Sequence, residues 1–383
     1  MNWRVPLADL DYGQEEEAAV LKVLRSKWLT MGAVTQKFEA QFAEQAGVKY
    51  AIAVSNATEA LHLACLALGV GPGDEVITPS LSFVATSNAV LYTGAEVRFA
   101  DIIGPDDLTI DPDEITRQIT PRTKAIIVMH YGGYPCRMNE ILAVADQVKL
   151  PVIEDAAHAP GASLDGKSLG TWGTIGCFSF FSNKNLSSGE GGMLVTDRED
   201  VAEKVRLLRS HGMTSLTYDR YQGHAYSYDV VELGYNYRID EIRSALGLEQ
   251  LKKLSGNNAR RKAWTERYWQ ALADVGVGLP FLGRVGSPSY HIFPILLPPG
   301  IDRKAFMDAL RSEGIQTSIH YPATHRFTYY QSRYGVISLP RTEYVSEREV
   351  TLPLYPGMRA EQVDLVVDRV IRTIQVFQNA KLD

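Results

Sequence analysis

The sequence has 383 residues, of which 45% are hydrophobic and 22% charged, and its formal net charge is −6 at pH 7. This composition is ordinary for a globular protein, and the length exceeds what one compact core usually serves, so we expect two domains. The acidic balance and the lack of a basic run argue against nucleic acid or a membrane surface as partners.

Three cysteines, Cys65, Cys136 and Cys177, are scattered along the chain and form neither a C-x-x-C pair nor a metal-ligand spacing. We therefore expect buried free thiols in a reducing compartment, and no metal site. The start MNWRVPLADLDYG lacks the apolar stretch of a signal peptide, and no apolar run approaches a membrane span. These features predict a cytoplasmic location.

The first half of the chain alternates strand-like and helix-like segments after two predicted helices within residues 14–46. Predicted strands cover 50–54, 74–79, 95–101, 124–130 and 150–155, and predicted helices cover 57–69, 83–94 and 138–148. Such alternation indicates crossover units and a mostly parallel sheet. Ligands of such sheets bind beyond the carboxyl ends of the strands.

A long helical tract is predicted over 238–273, and the pattern then changes. The later predicted elements are strands at 290–297 and 315–321 and helices at 303–314 and 361–377. We place the change of domain within 250–280 and divide the chain into a large domain, residues 1–250, which includes the N-terminal helical segment, and a small C-terminal domain, residues 251–383.

Polar residues stand where predicted strands end. Asp155 is the last residue of the predicted strand end VIED, and its position suits a helix cap and a site residue about equally. A helix cap would leave His158 without a role. The segment SNAT at 55–58 opens a helix, whose free N–H groups and partial positive charge suit a phosphate. Simple N-capping explains that segment taken alone.

Lys184 lies in a polar loop between two apolar runs of FSFFSNKNLSSGEGGMLVTD, residues 178–197. A loop lysine is usually solvated. Pyridoxal phosphate, however, needs a lysine for its aldehyde, an acid for its pyridine nitrogen and a phosphate cup. Phe83 could add an aromatic face beside such a ring, although a core position is the usual one for Phe. Taken together, the pieces favour a cofactor site.

Eight stretches resemble the DegT/DnrJ/EryC1/StrS family of pyridoxal-phosphate-dependent sugar aminotransferases. They occur in the family's order over nearly the whole chain: WLTMGAVTQKFEAQFA, VSNATEALHLA, PSLSFVATSNAV, HYGGYPCRM, VIEDAAHAPGA, FSFFSNKNLSSGEGGML, LGYNYRIDEI and IHYPATHRF. The resemblance implies an α/β fold of the aspartate aminotransferase type (PLP fold type I). This fold has a large domain with a mostly parallel central sheet and a smaller C-terminal α+β domain. It also implies a homodimer with a shared active site.

The resemblance further implies roles for individual residues. Lys184 is expected to bind pyridoxal 5′-phosphate covalently and to move protons, Asp155 to face the pyridine nitrogen, and His158 to lie near the ring hydroxyl. Phe83 is expected to stack on the ring. The implied phosphate contacts are Thr58, the backbone of Glu59, Ser179 and, from the other subunit, Asn236.

The substrate contacts are implied less directly. The loop LTMGAV and the stretch IHYPATHRF lie where relatives contact the sugar nucleotide. The candidates are Thr30, His130, Tyr131, Arg238, His320 and Tyr321. Each of them could equally be an ordinary loop or strand-end residue, and His325 is a weaker candidate still.

The implied reaction is transamination of a nucleotide-linked keto sugar with L-glutamate as donor and pyridoxamine 5′-phosphate as the intermediate form of the cofactor. Likeness to 4-aminating relatives predicts a dTDP-4-keto-6-deoxyhexose and a 4-amino-4,6-dideoxy product. A 3-keto sugar or a UDP- or GDP-linked sugar stays open, as do the stereochemistry and the pathway. A family branch that dehydrates has His instead of the lysine, so Lys184 favours transamination. A non-catalytic regulatory or binding protein is the alternative of another class.

Overall fold

The computed structural model describes residues 3–215, 218, 223 and 227–379. Its strands are β1 (Tyr50–Val54), β2 (Glu75–Pro79), β3 (Glu96–Ala100), β4 (Ile102–Gly104), β5 (Asp107–Ile110), β6 (Thr123–Met129), β7 (Val152–Asp155), β8 (Ser163–Leu164), β9 (Lys167–Ser168), β10 (Ile175–Ser179), β11 (Gly192–Thr196), β12 (Phe293–Leu296) and β13 (Glu349–Leu352). Among the described residues, no helix is both long and apolar enough to cross a lipid bilayer.

The helices include all of those that the sequence predicts, in the predicted order, together with four that it does not. They are α1 (Gln14–Ser26), α2 (Ala33–Ala46), α3 (Ala57–Ala67), α4 (Ala85–Tyr92), α5 (Pro112–Gln118), α6 (Met138–Val148), α7 (Glu199–Arg209), α8 (Glu241–Leu272), α9 (Arg303–Ser312), α10 (Thr328–Tyr334), α11 (Pro340–Arg348) and α12 (Ala360–Asn379). Short 3₁₀ turns cover Tyr131–Gly133 and Thr324–Arg326.

A seven-stranded sheet of order β1-β11-β10-β7-β6-β2-β3 forms the centre of the molecule. The neighbours β3, β2, β6, β7 and β10 run parallel, while β11 is antiparallel to both β10 and β1. Helices cover both faces, with α3 against β10 and β11 on one side and α2 against β1 on the other. The predicted α/β class and mostly parallel sheet are confirmed.

Burial of apolar side chains explains why these segments adopt this arrangement. The β1 sequence YAIAV is buried from Ala51 onward, and α3 buries all six residues of Ala60–Cys65, five of them apolar or small, against the sheet. On the opposite face, Phe38 and Phe42 of α2 pack on Phe178 and Phe180. The three cysteines are buried and unpaired, as predicted.

The parallel strands and β1 end at one edge of the sheet. Val54 at the end of β1 and Ser179 at the end of β10 both pair with Gly192, so the α3 N-terminus and the loop 180–191 meet there. Asp155 at the end of β7 belongs to the same edge, since β7 is parallel to β10. The topology thus brings three predicted site segments together.

The helix α8 runs without interruption for 32 residues and begins at the N-cap Asp240, whose side chain accepts a hydrogen bond from the Arg243 amide at 2.8 Å. The predicted domain boundary between residues 250 and 251 lies inside this helix. The division into 1–250 and 251–383 stays a prediction, with α8 as the element that would join the two parts.

The predicted strand at 315–321 does not form as a continuous strand. Ile315 makes a single bridge with Val5, and Ser318 makes a single bridge with Thr351. Because the segment is held by two different partners, one on each side, no ladder extends along it. It leads directly to His320 and Tyr321, which lie at the sheet edge described above.

Candidate active site

A cavity of ≈ 700 Å³ lies at the carboxyl edge of the sheet. Nine of the predicted site residues line it: Thr58, Glu59, Phe83, Asp155, His158, Ser179, Lys184, His320 and Tyr321. They come from strand ends, a helix N-terminus and two loops, and so are distant in sequence. The fold therefore brings most of the predicted constellation into one place.

Lys184 is directed into this cavity by its own loop. Its backbone N–H donates to the Phe181 carbonyl oxygen at 2.9 Å, and the next residue, Asn185, is buried. The Asn185 amide donates to the Ser289 carbonyl oxygen at 2.7 Å and to Asn258 Oδ1 at 2.8 Å. Burial lowers the pKa of Lys184 to about 8, and the Asp155 carboxylate partly opposes that shift. Lys184 is therefore not a solvated loop lysine.

Asp155 is 4% exposed at the end of β7. Its Oδ2 accepts a hydrogen bond from Thr86 Oγ1 at 2.7 Å, and its Oδ1 accepts one from the Ala157 amide at 3.2 Å. No helix begins after it in residues 156–161, which excludes the helix-cap explanation. Burial raises the pKa of Asp155, and these two hydrogen bonds and the Lys184 charge oppose the rise.

His158 is buried, and both of its ring nitrogens have partners. The Gly132 amide donates to Nδ1 at 3.2 Å, and Nε2 lies 2.9 Å from Tyr321 Oη. Because Nδ1 accepts a hydrogen bond, the proton of the neutral ring belongs on Nε2. Burial, together with the charges of Lys184 and His320, lowers the pKa of His158, so the ring is neutral at physiological pH.

The N-terminus of α3 forms the part of the wall that suits an anion. The Glu59 amide donates to Asn56 Oδ1, the N-cap side chain, at 2.9 Å. Its predicted contact with the cofactor phosphate stays a prediction. Thr58 lies in the same first turn, where amides have no intrahelical acceptor. Ser179, at the end of β10, also lines the cavity and accepts a hydrogen bond from the Phe181 amide at 3.3 Å.

Phe83 presents an apolar ring to the cavity. It is 57% exposed, and its ring centroid lies 5.9 Å from that of Tyr321. An aromatic ring in a polar cavity is suited to stacking against a flat ligand. The alternative prediction, a core Phe, does not describe this residue.

Two predicted substrate contacts lie behind the cavity and not in its wall. His130 is fully buried, with Nε2 2.8 Å from Glu154 Oε2 and with Nδ1 accepting a hydrogen bond from the Cys136 amide at 3.2 Å. Tyr131 is also fully buried and donates to the His320 carbonyl oxygen. Neither side chain has a free polar atom for a substrate, so both predictions are corrected.

Three further predicted residues do not line the cavity of this chain. Thr30 and Asn236 are exposed, and Arg238 is half-buried with burial lowering its pKa. The Asn236 backbone makes a single bridge with Ser210, which fixes its position while leaving the side chain outward. Their predicted roles toward the cofactor phosphate or the sugar nucleotide stay predictions.

Sequence reasoning missed several residues that shape the site. Thr86 contacts Asp155, Tyr237 lines the cavity, and Asn185 is hydrogen-bonded to His291 Nδ1 at 2.9 Å. Of these residues, only Asn185 could have been suspected from the sequence, because it follows Lys184. The side-chain hydrogen bonds of Thr86 with Asp155 and of Tyr237 with helix α3 join residues that lie 69 or more positions apart along the chain, so sequence spacing could not reveal them.

The cavity offers what pyridoxal phosphate needs. It contains a lysine amine with a lowered pKa, a buried carboxylate, the first turn of a helix and an exposed aromatic ring. Among the described residues, no group of three His, Cys, Asp or Glu side chains could hold a metal ion. The donor set thus fits an organic aldehyde with a phosphate group.

Comparisons with known proteins agree with this chemistry. The sequence profile of the DegT/DnrJ/EryC1/StrS aminotransferase family matches residues 11–371. Helicobacter pylori PseC, an aminotransferase involved in the biosynthesis of pseudoaminic acid, is 30% identical with a TM-score of 0.91, covering 97% of this chain and 99% of that one. DesV from S. venezuelae is 34% identical with a TM-score of 0.90 and the same coverage.

A third relative bears on the cofactor. The putative sugar aminotransferase Spr1654 from Streptococcus pneumoniae is 25% identical in its PLP form, with a TM-score of 0.90, covering 97% of this chain and 99% of that one. It has also been solved in a PMP form. The predicted fold type, family and cofactor are confirmed. The chain belongs to the DegT/DnrJ/EryC1/StrS aminotransferase family and is a pyridoxal-phosphate-dependent sugar aminotransferase.

Proposed function

We propose that this protein transfers the amino group of L-glutamate to a nucleotide-linked keto sugar. The acceptor in this proposal is a dTDP-4-keto-6-deoxyhexose, and the product is the 4-amino-4,6-dideoxy sugar. The supporting observation is that one cavity contains Lys184, Asp155 and the α3 N-terminus together. Likeness to sugar aminotransferases over nearly the whole chain supports the sugar as acceptor.

Within this proposal, the side chains of the cavity divide the tasks toward the cofactor among them. When bound, pyridoxal phosphate supplies an electron sink for the carbon that loses its proton. Lys184 holds the cofactor covalently, and its freed amine moves that proton. Asp155 stabilises a protonated pyridine nitrogen, and Phe83 packs on the ring face. Thr58 and Ser179, with Asn236 of the partner subunit, hold the phosphate.

The substrate part of the proposal is tested by comparing turnover on different keto sugars. With L-glutamate as donor, we expect kcat/KM for the dTDP-4-keto sugar to exceed that for the dTDP-3-keto, UDP-4-keto and GDP-4-keto sugars by about tenfold or more. A preference for one of the other sugars would replace the substrate while leaving the aminotransferase assignment intact. No turnover of L-glutamate with any of them would contradict all four acceptors and direct the search to other keto sugars.

The shared active site gives a second expected result. In an Asn236→Ala variant we expect the cofactor to dissociate about tenfold more readily, because one hydrogen bond to a charged phosphate is lost. Cofactor retained after dialysis measures this. Asn139→Ala, at an exposed position of α6, is the matched control and should retain the cofactor as the wild type does. A fully active, cofactor-replete monomer by sedimentation would contradict the shared site.

We also propose a cytoplasmic location. The support is that all three cysteines are buried, unpaired thiols.

A further inference from the structure

A chain of hydrogen bonds leads from the cavity to a buried carboxyl group. His320 lines the cavity, and its Nδ1 lies 2.8 Å from Thr351 Oγ1. The Thr351 hydroxyl is in turn hydrogen-bonded to Glu349 Oε1. The second carboxyl oxygen, Oε2, accepts the His320 backbone N–H at 2.7 Å. The three side chains thus connect the cavity to the β13 strand.

Glu349 is fully buried, and its carboxyl group forms no ion pair within the described part of the chain. The positive charge that acts on it is that of Arg303, whose Nη1 donates to the Glu349 carbonyl oxygen at 3.4 Å. Tyr131 and Tyr321 are also close, and both are neutral hydroxyls. A buried carboxylate without a cation is costly, so this environment favours the protonated acid.

The direction of the pKa shifts agrees with this geometry. Burial raises the pKa of Glu349 to about 8, although Thr351, the His320 amide and Arg303 oppose the rise. Burial also lowers the pKa of His320 to about 3, with Lys184 contributing in the same direction. The imidazole ring is therefore neutral near pH 7, while Glu349 can gain or lose a proton there.

The protonation state of Glu349 determines which ring nitrogen of His320 carries the proton. When Glu349 is ionised, the Thr351 hydroxyl donates to it and accepts from His320 Nδ1–H, which leaves Nε2 unprotonated. When Glu349 is protonated, it donates to Thr351, Thr351 donates to Nδ1, and the ring proton lies on Nε2. One proton taken up at Nε2 therefore ends on Glu349, and the imidazole never becomes charged.

We propose that His320, Thr351 and Glu349 form a proton relay that serves the exchange of the substrate's carbonyl oxygen with water. The proposal rests on the proposed function. As the carbonyl carbon forms a double bond to the attacking nitrogen, its bond to oxygen breaks and the oxygen leaves as water. The nitrogen loses two protons, one passed directly to that oxygen and one to the relay, and His320 Nε2–H gives the oxygen its second proton, so water leaves and the relay ends unchanged. In the reverse direction it takes a proton from the attacking water.

The alternatives in the cavity are less suited to this task. Both ring nitrogens of His158 already have partners, and burial raises the pKa of Tyr321 far above its usual range. Lys184 is needed for proton transfer at carbon. His320 is the catalytic residue of this proposal, while Thr351 and Glu349 position its proton.

The relay can be tested without any sugar by ¹⁵N NMR of the holoenzyme labelled at its eight histidines. The His320→Gln variant identifies the His320 signals. We expect the ring proton to lie on Nε2 below and on Nδ1 above a midpoint of about pH 8, the pKa of Glu349. In Glu349→Gln the ring proton should stay on Nε2 at every pH, because the glutamine amide donates to Thr351 and Thr351 then donates to Nδ1. A wild-type tautomer that does not change with pH, or an unchanged transition in Glu349→Gln, would overturn the relay.

The kinetic arm uses isotope exchange between L-glutamate and 2-oxoglutarate, which needs no knowledge of the sugar. We expect kcat to fall about 10- to 100-fold in Glu349→Gln and Thr351→Val, with little change in KM, because proton transfer typically contributes a factor of this order or more. Thr351→Ser keeps the hydroxyl and should restore both the rate and the NMR transition. Equal rates in Thr351→Val and Thr351→Ser would overturn the catalytic role. A wild-type enzyme that exchanges L-glutamate with 2-oxoglutarate normally but does not turn over the dTDP-4-keto sugar would instead count against the proposed sugar.

Discussion

We expect the Lys184→Ala variant to lose transamination by about 10⁴-fold or more while remaining folded, because one side chain both holds the cofactor and transfers the proton. The measurement is the single-turnover reaction with L-glutamate, followed by the visible absorption of the cofactor. The wild type should be yellow and should bleach when L-glutamate is added. The variant should bind the cofactor only reversibly and should not bleach on the same timescale.

The fold of this variant should be unaffected, for a reason that the structure supplies. Burial lowers the pKa of Lys184 to about 8. Between pH 8 and the ordinary pKa of lysine, the unfolded chain binds more protons at this residue than the folded chain does. The contribution of Lys184 to the free energy of unfolding therefore rises with pH over that range. Below about pH 8 the buried ammonium disfavours folding, and its removal relieves that cost. The melting temperature of the cofactor-free variant at pH 7 should therefore equal or exceed that of the cofactor-free wild type.

The lowered pKa of Lys184 also predicts how the rate of the reaction with L-glutamate depends on pH. Proton abstraction needs the neutral amine, so the rate should rise through about pH 8 and level off above it. Because the pKa of Glu349 is also about 8, the profile is best recorded for the step that Lys184 carries out, as the exchange of the α-proton of L-glutamate with solvent. Added methylamine should restore part of the rate in Lys184→Ala, since a free amine can enter the cavity. A Lys184→Ala variant with wild-type activity would overturn the central assignment.

The mostly parallel sheet could be predicted from local patterns because each element buries its own apolar face, whereas the strand order and the antiparallel β11 could not. Alternating strands and helices indicated a parallel sheet, and the rule that ligands bind at strand carboxyl ends led to Asp155 and the α3 N-terminus. The prediction of a strand at 315–321 was wrong because an extended sequence pattern does not reveal whether a neighbouring strand pairs with the whole segment. Helices α5, α7, α10 and α11 were not predicted from the sequence.

The errors in the site have a common physical cause. His130 follows a strand end, as Asp155 does, but Glu154 from the neighbouring strand points toward it and occupies its Nε2. A side chain's orientation across a sheet depends on register, which one sequence does not give. Glu349 was overlooked for the same reason, because its links to the cavity through His320 and Thr351 are contacts of the folded chain.

The second large effect is expected at Asp155. We expect Asp155→Asn to slow the reaction with L-glutamate by about 10²- to 10³-fold, the usual cost of removing one preorganised electrostatic contact. The amide keeps the size of the side chain, and its oxygen can still accept the Ala157 N–H. The Thr86 hydroxyl can rotate to accept from the new amide, so no buried polar group is left unpaired. The lower rate of Asp155→Asn would then result from the loss of the negative charge alone.

A matched variant separates charge from hydrogen bonding at this position. Thr86→Val removes the 2.7 Å hydrogen bond but leaves the carboxylate, and should slow the reaction only about tenfold. Because burial raises the pKa of Asp155, ionising it opposes folding increasingly as pH rises above the unfolded value. Asp155→Asn should therefore melt no lower than the wild type at pH 7, which makes slow kinetics in a stable protein the expected signature. Equal rates in Asp155→Asn and the wild type would mean that the carboxylate does not act on the pyridine nitrogen, and the cavity's role would then rest on Lys184 alone.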